Sequence, residues 1–151
     1  MDKALKEKWI QNLTDGTYEQ GYSQLFDGHG YCCLGVLCDI SDKGQWGKGD
    51  NYLIGNYTFH FTLNKDDQTD GFSAPYVGDE LFGLPKGIAS TLMRMNDGGD
   101  LDTTDGIASW LLDHGVGTDP EIEADEDEIQ YFLPVPFPVI AEYIREFVPE
   151  D

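Results

Sequence analysis

The chain predicts a single small α+β domain, with four or five short helices and a small antiparallel sheet. Three observations lead there. Apolar residues recur at helical spacing in several short stretches, and one central stretch alternates with period two. The 151 residues, 40% of them hydrophobic, suffice for one core and leave little for a second. Residues 1–151 are therefore read as one domain, with an acidic loop at about 117–130 and a proline-rich connector at 133–138.

Residues 2–14 carry Leu5, Trp9 and Leu13 at intervals of four, with Ile10 beside them, which predicts an amphipathic helix. Lys3, Lys6 and Lys8 fall off that stripe, and Gly16 supplies the stop. In TYEQGYSQLFDGHGY the aromatics are dispersed among polar residues, which suggests a short strand or irregular ribbon with a tight turn at Asp27 to Gly30. From Cys32 to Ile40 the chain is almost wholly apolar. Cys33, Val36, Leu37 and Ile40 share one helical face, so a buried helix is expected, opening as early as Tyr31. Ser41 to Asp50 reads as loop.

The segment YLIGNYTFHFTL, Tyr52 to Leu63, switches to period two and is rich in aromatic and β-branched residues, so two strands split near Gly55 are expected. NKDDQTDG is a polar turn leading to FSAPYVGDELFG, a loop or edge strand. Leu84 and Pro85 announce a helix with Ile88, Leu92 and Met95 inward, ending at NDGG. Asp102 or Thr103 then caps another, with Ile107, Trp110 and Leu111 apolar and Gly115 past its end. LPVPFP is too proline-rich for a regular helix or central strand and reads as an extended connector. Pro138 can open a last helix whose apolar face is Ile140, Tyr143, Ile144 and Phe147.

Charge is the outlier of the composition: 29 acids against 9 bases, formally −20. Such a surface repels nucleic acid and anionic membranes, which argues against direct binding to either. No apolar run approaches the ~18 residues of a membrane span. The charged N-terminus lacks the apolar core of a signal peptide, so a cytoplasmic protein is expected. Cys32, Cys33 and Cys38 are then three reduced thiols: an odd number within seven residues is a poor disulfide framework, and the spacing is wrong for structural zinc. No cofactor is implied, since the phosphate-cradling, dinucleotide and catalytic motifs are missing.

KEKWIQNL, then YEQG, then YCCLGVLCDI resemble a group of short phage- and prophage-encoded proteins of unknown function. LMRMNDGGD followed by GIASWL resembles the same group's later Asn-Asp stretch. Together these cover about half the chain. The resemblance implies a protein made inside an infected or lysogenised bacterium and supplies no mechanism.

Three functional readings follow. The first is an acidic, non-enzymatic protein that binds and inhibits a basic nucleic-acid-binding host protein through a carboxylate-rich face, in the manner of a DNA mimic. DNA presents one negative charge per ~1.7 Å of axis, so a mimic needs many carboxylates on one surface. The candidates are Asp97, Asp100, Asp102 and Asp105, then Asp119, Glu121, Glu123, Asp125, Glu126, Asp127 and Glu128. The second is a papain-like cysteine hydrolase, with Cys32 as nucleophile at a helix N-terminus and His60 as general base. Against it, no Asp-Cys-Ser-Gly signature is present and nothing identifies a third residue. The third is a structural or accessory protein whose acidity serves only solubility or a salty habitat. Calcium is disfavoured: NDGGDLDTTDG has ligand-type residues in the wrong order, and Ala124 stands where the acidic run would need glycine. On balance the sequence favours a binder over an enzyme.

Overall fold

The computed structural model describes residues 1–22, 24–41, 43, 45–51, 56–62, 82–85, 87–102, 110–111, 113–115, 129–132 and 134–150; on the strands, Trp46 is the only described side chain. Four helices organise it: α1 (Lys3–Thr14), α2 (Cys33–Ile40), α3 (Ile88–Asp97) and α4 (Phe137–Phe147). The described core is drawn from these helices and the segments flanking them.

The α+β expectation is therefore corrected to a helical fold. Among the described residues, strands pair in two separate two-stranded antiparallel ribbons, with isolated bridges from Tyr31 to Gln20 and Phe26, and no sheet layer forms. In one, β1 (Gln45–Asn51) pairs β2 (Asn56–Thr62), with Gln45 opposite Thr62; in the other, β3 (Gly99–Asp102) pairs β4 (Ile129–Phe132). Of the two strands expected in residues 52–63, β2 covers 56–62 and residues 52–55 fall outside the described residues; among the described residues no third strand joins β1 and β2 to build a layer. Residues 45–50, read as loop, belong to β1; QWGKGDN has two glycines and little β-forming character, so its pairing is set by its partner.

Helix α1 follows its apolar stripe: Trp9, Ile10 and Leu13 are buried. Asp2 caps it by accepting from the Leu5 N–H, and the Asp15 N–H closes the last turn on Gln11. Lys6 lies off the stripe and is nonetheless buried, 6% exposed. Helix α4 lies across this face of α1, and Lys6 Nζ donates to the Arg145 carbonyl at the end of α4, 3.3 Å away. Lys8 Nζ likewise donates to the carbonyl of Ile40, the last residue of α2. Two α1 lysines thus satisfy helix C-terminal carbonyls, where a positive charge also meets the negative end of the dipole.

Helix α2 is buried on every side but that of Asp39. A Cβ on Gly35 would overlap the Leu25 carbonyl oxygen, so only glycine lets the 18–31 ribbon approach this closely. The Asp27 carboxylate accepts from the His29 and Gly30 N–H groups, forming the expected turn and holding its own pKa below the usual range.

Helix α3 buries Leu92 and Met95 as expected, while Ile88 is half-buried. Its first turn lies after Pro85, because Gly87 (φ 86°) interrupts the backbone between them. Gly98 ends it, donating to Arg94. Asp102 lies in β3 rather than at a described cap, and residues 103–109 fall outside the described residues. Leu111 is buried and Trp110 half-buried, its Nε1–H donating to Glu146 of α4 at 2.8 Å.

The 134–136 segment is extended, with the Val135 N–H on the Met95 carbonyl; 137 and 138, read as connector, already belong to α4. Ile140, Tyr143 and Ile144 are buried, but Phe147 is 43% exposed. Val148, four residues beyond Ile144, takes the inward place instead.

Candidate functional site

The three thiols sit at the start of and within α2, all free and all buried. Cys32 is the N-cap residue; its Sγ accepts from the Gly35 N–H at 3.4 Å, and it is 3% exposed. Burial pushes the Cys32 thiol up to about 11, outweighing the helix N-terminal hydrogen bonds that favour the thiolate. Burial raises Cys33 and Cys38 as well. A neutral, enclosed thiol is the opposite of an activated nucleophile. His60 lies on β2 opposite Gly47, and its side chain falls outside the described residues.

Behind the thiols lies a buried amide node that sequence reading did not find. Asn96, at the end of α3, is fully buried. Its Oδ1 accepts from the Cys33 N–H (3.2 Å) and from Gln20 Nε2 (3.1 Å), and its Nδ2 donates to the Gly21 carbonyl (2.9 Å) and to Asp97 Oδ1 (3.0 Å). Gln20 continues the chain of bonds: Nε2 also donates to the Val135 carbonyl at 2.8 Å, and Oε1 accepts from the Phe137 N–H at 3.2 Å. Trp9 Nε1–H donates to the Cys33 carbonyl at 2.8 Å. Two side-chain amides thereby tie the ribbon, α2, α3 and the start of α4 together. Each amide is satisfied, so the node is a structural clamp rather than an open site. Polar residues carry no hydrophobic period, and the only signal for them was their place in the YEQG and MND motifs.

A second polar cluster stands at the surface. Asp39, in the last turn of α2, accepts from the Tyr18 hydroxyl at 2.6 Å (Oδ2) and from Trp46 Nε1–H at 2.9 Å (Oδ1). Phe26 and Tyr31 stack at 4.3 Å, Tyr18 meets Tyr31 edge-on at 5.1 Å, and Trp46 contacts both Phe26 and Tyr31. All four rings are half-buried and Asp39 is exposed. Burial, then the Asp39 hydrogen bond and charge, push the Tyr18 phenol up. A carboxylate at a helix C-terminus opposes the dipole, at about 0.3–1 kcal/mol. Two aromatic donors hold it there, and among the described residues no cation pairs with it.

Of the acidic candidates, Asp97 ends α3 half-buried, and Asp100 and Asp102 lie on β3, described by their backbones alone. Asp105, Asp119, Glu121, Glu123, Asp125, Glu126, Asp127 and Glu128 fall outside the described residues. Among the described residues no group of His, Cys, Asp and Glu could hold a metal ion, and no helix is long and apolar enough to cross a membrane.

Fold and site together define a small helical domain clamped by an interior amide node. Residues 1–109 match a family described as a domain of unknown function, DUF8296, and the chain belongs to that family. No curated protein and no solved structure matches the chain.

Proposed function

We propose that this chain is an acidic, non-enzymatic interaction protein that binds and inhibits a basic nucleic-acid-binding protein through its carboxylates. The supporting observation is how the scarce cations are used. Lys6 and Lys8 reach helix-terminal carbonyls, Lys43 lies over the Phe82 ring, and Arg145 pairs with Glu142. With Lys6 also paired to Glu150, four of the nine bases are engaged within the molecule, and the formal charge of −20 leaves a large surplus of acids. From Asp97 to the end of the sequence there are 16 acids and one base, Arg145. Such a field attracts a cationic groove from a distance, and salt weakens it.

The buried thiols favour this reading over the hydrolase one, because a nucleophile must meet its substrate. A phage origin fits it: an inhibitor made in the host cytoplasm would meet basic nucleases and repressors there. The test is a pull-down from bacterial lysate at low and high salt, with mass spectrometry of the bound proteins. The expected outcome is one nucleic-acid-binding protein, released by salt or competing DNA. Replacing Asp119, Glu121, Glu123, Asp125, Glu126, Asp127 and Glu128 by their amides should abolish capture. A diffuse set of basic proteins, or capture indifferent to those replacements, refutes the proposal.

A further inference from the structure

We draw no further inference here: the strongest candidate, the surface groove between α1 and the C-terminal end of α4 lined by Lys6, Arg145 and Glu150, carries nothing, because its cations are already engaged within the molecule, Lys6 with the Arg145 carbonyl and Glu150 and Arg145 with Glu142, and nothing in the structure shows what would occupy it.

Discussion

The amide node at Asn96 and the aromatic corner at Asp39 sit at opposite ends of one short helix and use polar groups in opposite ways. Asn96 is buried, uncharged and fully partnered, meeting the N–H of Cys33 at the start of α2. Asp39 is exposed and charged, held by two aromatic donors near the C-terminus of α2. The node turns its hydrogen-bonding capacity inward, whereas the corner holds its carboxylate at the surface. The node's residues, in the YEQG and MND stretches, thus serve to build the fold. Function is better sought in the charged groups the fold leaves outside.

The strongest way to break this contrast is to remove the node. Asn96→Leu keeps the volume but strips partners from the Cys33 N–H and the Gly21 carbonyl. A loss of about 3 kcal/mol or more is expected in urea unfolding, since each orphaned buried group costs about 1–3. A loss under about 1 kcal/mol would show that the node does not clamp the helices.

Gly35→Ala comes next. The new methyl overlaps the Leu25 carbonyl, so a destabilisation of about 2–3 kcal/mol is expected by thermal unfolding. A neutral outcome would mean that the ribbon can withdraw from α2 at no cost.

Alkali should attack the node's end of α2 through the thiols. Cys32 ionises near 9 when unfolded and at about 11 when folded, so the unfolded chain gives up its proton first. Stability is therefore complete below pH 9 and falls as pH rises towards 11, by about 2 kcal/mol from this thiol alone. Urea midpoints across that range measure it, and Cys32→Ala should flatten the slope.

The smallest effects belong to the charges. Lys6→Met keeps the buried stem and removes the ammonium, so a change within about 1 kcal/mol is expected, against a larger loss for Lys6→Ala. Asp39→Asn should likewise move stability by less than about 1 kcal/mol. A large loss in that variant would make the corner a second structural clamp and erase the distinction drawn here.

Much of the helical framework was legible. The stripes of α1, α3 and α4 emerge from 3.6-residue spacing, and the all-apolar α2 from its burial on nearly every side. Phe147 misled because spacing alone does not say where a helix leaves the core; Val148 takes the inward position. The sheet misled because period two marks strands without saying how many will pair. Lys6 lies off the apolar stripe yet is buried, because a neighbouring helix end supplies a carbonyl for it and Glu150 a carboxylate.

By itself, the sequence determined which stretches are helical, where the chain turns at Asp27 to Gly30, and that a large excess of acids must face water. Those are local or additive properties, set by spacing, turn chemistry and charge count. Tertiary structure alone decided the rest. It brought Gln20, Asn96 and Val135 together across more than a hundred residues and set Asp39 among Tyr18 and Trp46. Hydrogen bonds between distant segments leave no period in the chain, because what pairs them is the packing of α1, α2, α3 and α4.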